Sequence, residues 1–219
     1  MNRIHYLGIF ALCSLSCACS AGGSEAANSG IAAEPLASAA TAITPPRSNT
    51  VKVASLKLPA NFTSYASESI GKNILCHVGA VTGDDGMNQK PIAYAESVQS
   101  KQVLWVARLN LPPDTFQSRA THCTSSGDTT FVLLQSDTQS EQTLSQTLLR
   151  VVKLDTQTGT LQTQRNVDVP KAYSAWVNEG ASHFQWQGNA LVVSGNYRLS
   201  SDNDNQAQFT VHLNSNLNP

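Results

Sequence analysis

The stretch Val151-Val-Lys-Leu-Asp-Thr-Gln-Thr-Gly-Thr-Leu161 has the pattern of two short strands joined by a tight turn. Asp155 is expected to accept hydrogen bonds from the backbone of its own turn, as Asp often does at this place. Gly159 supplies the positive φ angle that the chain needs in order to reverse. The stretch therefore predicts an antiparallel hairpin, and the rest of the chain is best understood outward from it.

A strand-like sequence pattern continues on both sides of this hairpin, as short apolar or alternating runs separated by Gly, Asn, Asp and Ser. No amphipathic segment is long enough for a full globular helix. We therefore predict one all-β domain over residues 51–219, about 169 residues, which is enough for a sizeable core. The predicted strands are residues 51–58, 73–78, 102–109, 130–135, 147–154, 159–169, 182–186, 190–194 and 208–213.

A weak repeat runs through these strands. Gly residues at 71, 127 and 188 each open an apolar run, and Leu residues at 109, 154 and 213 each end a later strand before Asn or Asp. We interpret each unit as a meander of antiparallel strands. The hairpin at 151–161 resembles the blade hairpin of quinoprotein-type β-propellers, in which an Asp-x-x-Thr-Gly turn joins two strands. The resemblance implies propeller-like blades, but three blades fall short of the four needed for closure, so four short blades, an open meander and a β-sandwich are the alternatives.

The N-terminus has the three parts of an export signal. Residues 1–18 contain one charge, Arg3, then an apolar core at 6–15 and then small residues. This core is shorter than the roughly 20 residues that a spanning helix needs. We expect the segment to be removed on export.

The end of that signal is Leu15-Ser16-Cys17-Ala18-Cys19, which resembles the lipobox of bacterial lipoproteins. The resemblance implies that Cys19 becomes the lipidated N-terminus, with Cys17 as the alternative. In that family, Asp directly after the lipidated Cys is associated with retention in the inner membrane, and this chain has Ser20 there instead. The resemblance therefore implies an outer-membrane lipoprotein that faces the periplasm and is held in the bilayer by its acyl chains. The other interpretation is a soluble exported protein cut after Ala21.

Residues 19–50 are rich in Ala, Ser, Gly and Pro and predict a flexible tether. Two cysteines then remain, Cys76 and Cys123, and in an oxidising compartment they predict one disulfide. His77 and His122 adjoin them, so a Cys2His2 metal site is the alternative. Neighbouring side chains on a strand point to opposite faces, which disfavours that site.

The chain has 14 basic and 15 acidic residues and no block of like charge. This balance gives no electrostatic footprint for nucleic acid. The sequence contains no nucleophile elbow, zinc-protease motif or glycine-rich phosphate loop, and we expect no cofactor and no metal ion. The acidic loops at 82–86 and 201–205 are interpreted as turns rather than cation sites.

Six aromatic residues could form a surface that stacks against a sugar or a peptide: Trp105, Tyr173, Trp176, Phe184, Trp186 and Tyr197. Phe184 and Trp186 share one face of a predicted strand and would form a binding patch if that face were exposed; otherwise the rings fill the core. With no catalytic constellation in view, we predict a lipid-anchored periplasmic binding protein whose partner is an envelope protein. Two alternatives stay open. One is an immunity or inhibitor lipoprotein against a toxin or hydrolase that acts in the periplasm, and the other is an envelope hydrolase with a site assembled from scattered residues.

Overall fold

The computed structural model describes residues 56–139, 145–200 and 205–219. Within that part of the chain the regular elements are β-strands, apart from one 3-10 turn at Ala181–His183, so the predicted all-β fold is confirmed. The strands are β1 (Phe62–Gly71), β2 (Ile74–Val81), β3 (Lys90–Ser97), β4 (Val103–Arg108), β5 (Gln117–Ser126), β6 (Thr129–Asp137), β7 (Thr147–Asp155), β8 (Leu161–Asn166), β9 (Ser174–Trp176), β10 (Phe184–Gln187), β11 (Ala190–Arg198) and β12 (Gln206–Leu213).

The predicted signal, Cys19 and the tether lie outside the described residues, as does most of the acidic loop at 201–205. The predicted strand at 51–58 lies outside them too, except for residues 56–58, which are not in a strand. Among the described residues, no helix is long and apolar enough to cross a membrane.

The described strands form three antiparallel sheets, and in each the chain runs as a meander. The first sheet is β1-β2-β3-β4 and the second is β5-β6-β7-β8. In the third, β12 pairs along one edge of β11, while β10 and β9 pair with successive parts of the other edge. Each sheet therefore begins with a strand that has one edge free of ladder pairing: β1, β5 and β9.

The second sheet lies between the other two, and β6 shows why. Val132 and Leu134 point into a core shared with the first sheet, and Phe131 and Leu133 point into a core shared with the third. Alternate residues of a strand face opposite sides of the sheet. A strand buried on both faces therefore needs the continuous apolar run that the sequence has here, and each such side chain contributes about 1.5–3 kcal/mol on burial.

The hairpin of residues 151–161 forms as predicted, between β7 and β8. The carboxylate of Asp155 accepts hydrogen bonds from the backbone N–H groups of Gln157 and Thr158, at 3.1 and 2.9 Å. The hydroxyl of Thr158 also donates to this carboxylate, at 2.8 Å, and these bonds, led by that from the Thr158 hydroxyl, lower the pKa of Asp155. Gly159 has φ +69°, and the ring of Trp105 from the first sheet packs directly against it.

The predicted disulfide is present and joins Cys76 of β2 to Cys123 of β5, with Cα atoms 6.6 Å apart. It is buried and links the first sheet covalently to the second. The side chain of His77 stacks on Tyr94, with ring centroids 4.5 Å apart, away from the core that holds Cys76. No group of metal-ligating side chains occurs among the described residues.

Two glycines of the sequence repeat occupy equivalent places, since Gly127 lies in the turn between β5 and β6 and Gly188 in the turn between β10 and β11, both with positive φ. Gly71 is instead the last residue of β1, directly before the turn to β2. The strand endings of the repeat are not all equivalent. In the second and third units, Leu154 and Leu213 lie at the end of the first strand after the glycine hairpin, which is β7 or β12. In the first unit, Leu109 follows β4, which is the second strand after the hairpin of β1 and β2. The meander interpretation is therefore confirmed, and the strict repeat of endings is not.

Candidate functional site

A cleft of about 450 Å³ opens where the first strands of the three sheets come together. Its walls come from β1, β5 and β9, its floor from the ends of β6 and β7, and its rim from the loop after β9. We call this the central cleft. It is lined by Tyr65, Ala66, Arg119, Thr121, His122, Gln135, Thr147, Trp176, Val177, Asn178, Glu179 and Gly180.

The floor is polar because one face of β6 changes character along its length. Phe131 and Leu133 fill the core between the second and third sheets, and Gln135 and Asp137 continue the same face. The interface between these two sheets is thus apolar at one end and polar at the other. The central cleft is the polar end of that interface.

Asp137 lies behind the floor, in the lining of an adjoining cleft, and it holds Arg119 and Thr147 of the central cleft in place. Its Oδ2 accepts hydrogen bonds from Nε2 of Gln117 and Nη1 of Arg119, both at 2.9 Å. Its Oδ1 accepts one from the hydroxyl of Thr147 at 3.1 Å. Gln117 and Thr147 are the direct cross-strand partners of Asp137 on β5 and β7, so strand register alone brings these groups together. The carboxylate is therefore held in one orientation.

Gln135 connects the second sheet to the third. It is 5% exposed, and its Nε2 donates to the carbonyl of Val177 at 3.0 Å and to the hydroxyl of Thr121 at 3.1 Å. Its Oε1 accepts from the backbone N–H of Val177 at 3.1 Å. The amide satisfies both backbone groups of Val177, which β9 leaves outside the ladder. This pair of bonds fixes the wall of the cleft that carries Trp176.

His122 completes the same network. Its Nε2 lies 2.9 Å from the carbonyl of Asn178 and its Nδ1 lies 3.0 Å from the hydroxyl of Thr121. A carbonyl can only accept, so Nε2 carries the proton and Nδ1 accepts from Thr121. Burial lowers the pKa of His122, and the hydrogen bond to Asn178 opposes that effect only in part. The ring is therefore neutral near pH 7, with both nitrogens occupied.

Two aromatic rings stand in the walls. Tyr65 of β1 is 40% exposed, and its hydroxyl accepts a hydrogen bond from Nε2 of Gln89 at 2.8 Å. Trp176 of β9 is partly buried on the opposite side, in the third sheet. Neither ring belongs to the two apolar cores. The cleft thus presents aromatic surface from two different sheets above a polar floor.

The charges of the site are balanced. Arg119 and Glu179 are the charged residues that line the central cleft, and Arg119 is already paired with Asp137. A second cleft of about 420 Å³ adjoins this one across Asp137 and shares Thr147. Two of its lining residues flank positions 140–144, which lie outside the described chain, and the site is therefore built on the central cleft alone.

The aromatic pair singled out in the sequence lies elsewhere. Phe184 is 1% exposed in the core between the second and third sheets, and Trp186 is half-buried with its ring stacked on Phe131 at 5.2 Å. These rings fill the core, which was the alternative to a binding patch. In the acidic loop at 82–86, Asp85 accepts a hydrogen bond from the backbone N–H of Met87 at 2.9 Å, as in an ordinary turn.

Sequence reasoning named two residues of the central cleft, His122 as a possible metal ligand and Trp176 among the candidate stacking rings, and missed the others. The signal that could have indicated them is the alternation of Gln117, Arg119 and Thr121 on β5, opposite the polar continuation of β6. No protein-family model matches this sequence, and no curated protein matches it.

Proposed function

We propose that this chain is a lipid-anchored protein of the bacterial envelope, and that its β domain binds another macromolecule of that compartment through the central cleft. The observation that carries the binding role is the construction of the cleft. Its floor consists of polar side chains that are already hydrogen-bonded to one another, at the meeting point of three sheets. Ligand-binding sites are usually pre-formed and contain a small number of oriented polar groups of this kind.

The buried disulfide supports the exported location, because cytosolic thiols are kept reduced. The lipid anchor is tested by mass spectrometry of the mature protein purified from membranes. We expect an acylated N-terminal Cys19, lost in Cys19→Ser and retained in the matched variant Cys17→Ser. An unmodified thiol at position 19 contradicts lipidation of Cys19, and a mature chain without acyl chains on either Cys17 or Cys19 contradicts the anchor.

The binding role is tested in intact cells with a photo-crosslinking amino acid. Placed at Tyr65 in the cleft, it should give a defined adduct with an envelope component. Placed at Leu161, an exposed residue of the edge strand β8, it should give none. Equal yields from both positions contradict a binding site in the cleft. An adduct with one enzyme that the purified chain then inhibits identifies an inhibitor or immunity role.

A hydrolase is the second candidate, because Thr121 and His122 have the spacing of a nucleophile and its base. Three features weaken it. The third group is the carbonyl of Asn178 rather than a carboxylate, the Thr121 hydroxyl also accepts from Gln135, and burial lowers the pKa of His122. Peptidoglycan, ester and glycoside substrates test it directly. Turnover that Thr121→Val abolishes would favour the hydrolase.

A further inference from the structure

The central cleft contains both extra residues of two β-bulges. In the pairing of β1 with β2, Tyr65 is skipped between Ser64 and Ala66. In the pairing of β5 with β6, Thr121 is skipped between Ala120 and His122. Bulges re-aim a side chain and interrupt the regular edge of a strand. At the cleft, β1 and β5 thus present side chains rather than a straight row of backbone groups.

This geometry disfavours one class of ligand. A peptide that adds to an edge strand relies on an uninterrupted ladder of main-chain hydrogen bonds. The bulge at Thr121 bends β5 and so interrupts the regular spacing of its free edge, where the N–H of Ser118 already donates to the carbonyl of Gln89 at 2.9 Å. The bulge at Tyr65 bends β1 in the same way. Recognition in the cleft therefore depends on side chains.

The charges and hydrogen-bonding groups point to the chemistry of the ligand. Arg119 and Glu179, the two charged residues that line the cleft, carry opposite charges, which disfavours a polyanion or a polycation as the ligand. Arg119 has five N–H donors in a fixed fork, and within the described part of the chain its side chain bonds through Nη1, to Asp137. Its other donors can bind a hydroxyl oxygen of a ligand, and the carboxylate of Glu179 can accept from a hydroxyl group.

The two rings add the complementary apolar surface. A sugar ring has hydroxyls at its edge and C–H groups on its faces, and the negative face of an aromatic ring attracts those C–H groups. Tyr65 and Trp176 offer such faces from two different sheets. On this basis, and resting on the proposed function, we propose that the central cleft binds a neutral oligosaccharide, stacked on Tyr65 and Trp176 and hydrogen-bonded to Arg119.

The test is titration of the full mature chain, purified in detergent, with soluble malto-, cello- and chito-oligosaccharides, followed by calorimetry and by tryptophan fluorescence. We expect saturable binding to at least one neutral series. Trp176→Ala should weaken it about tenfold or more, since one stacked ring contributes on that order. Trp176→Phe and Tyr65→Phe keep a ring and should retain most of the affinity. The matched control Leu161→Ala should not change it.

Trp176→Ala is compared with the wild type by thermal unfolding. If that variant does not fold, Arg119→Lys replaces it, because it keeps the charge and removes the fork, and it should also weaken binding. Binding that none of these cleft variants alters refutes the proposal. So does the absence of saturable binding to every neutral series at millimolar concentration. If no oligosaccharide binds but an envelope protein is crosslinked at position 65, the oligosaccharide proposal fails and the proposed binding function is supported. If no oligosaccharide binds and no adduct forms at position 65, both proposals fail.

Discussion

Replacing Gln135 by Leu should separate the contribution of one buried amide from that of the apolar core around it. The side chain of Gln135 holds the backbone N–H and C=O of Val177, and Val177 is itself buried. Leu has a similar size and cannot hydrogen-bond. The substitution therefore leaves the N–H and C=O groups of Val177, the residue after β9, buried without partners.

The expected loss follows from those two groups. A buried backbone group without a partner costs about 1–3 kcal/mol, so two give about 2–6 kcal/mol of unfolding free energy, partly offset by the lower desolvation of Leu. With a urea m-value of about 2 kcal/mol/M, a loss of about 3 kcal/mol lowers the urea midpoint by about 1.5 M. Equilibrium unfolding in urea, followed by tryptophan fluorescence and circular dichroism, measures this shift.

The matched control is Gln162→Leu, the same exchange at an exposed position of β8. It should change the unfolding free energy by less than about 0.5 kcal/mol. Gln135→Glu keeps the acceptor for the Val177 N–H but turns a carboxylate oxygen toward the Val177 carbonyl, so it should be at least as destabilising. If Gln135→Leu unfolds within about 0.5 kcal/mol of the wild type, the amide does not connect the two sheets in the way described.

The remaining predictions concern the disulfide, the buried histidine and one turn. Reducing the disulfide, whose cysteines are 47 residues apart, should lower the unfolding free energy by about 4 kcal/mol, measured in urea with and without dithiothreitol; equal midpoints would contradict this. Because the pKa of His122 is lowered in the folded state, the unfolded chain binds more protons below pH 6.5, and stability should fall as the pH drops through that value. His122→Gln should reduce this slope between about pH 7.5 and about pH 5.5, and an unchanged slope in that variant would count against the assignment. Gly159→Ala combines φ +69° with a Cβ placed 2.6 Å from the Trp105 ring, so it should cost about 2–5 kcal/mol in a urea titration. Gly127→Ala, with φ +56° and open space around the Cβ, should cost about 1–2 kcal/mol, and the expectation fails if the two variants unfold alike.

The part of the fold that could be predicted from the sequence is the part where apolar side chains alternate or run together. β6, β7 and β11 are of this kind, and so is the hairpin at Asp155, where turn chemistry is local. β1, β3 and β5 were not predicted as strands because they are rich in Ser, Ala and Thr. Their inward side chains are small, as at Ala93 and Ala95, because the disulfide and Trp105 occupy much of the same core.

The central cleft could not be predicted because its groups come from strands far apart in the chain. Gln135 and Val177 are 42 residues apart, and Arg119 and Asp137 are 18 apart. Their meeting depends on the register of β5 against β6 and on a bulge at Thr121, which no local pattern of residues reveals. The interpretation of Phe184 turned on exposure, which likewise depends on what packs against the strand.

The covalent link between the first two sheets also determines how the domain responds to a pulling force. Tension applied at the N-terminal side enters at β1, and β1 is the first strand to be peeled away. Once the chain is drawn taut as far as Cys76, the bridge passes the load straight to Cys123, and the segment between them, with β3 and β4, cannot extend. Under such a force the chain should therefore extend from β1 to Cys76 and then from Cys123 onward, while the loop between the two cysteines adds no length until the disulfide is reduced.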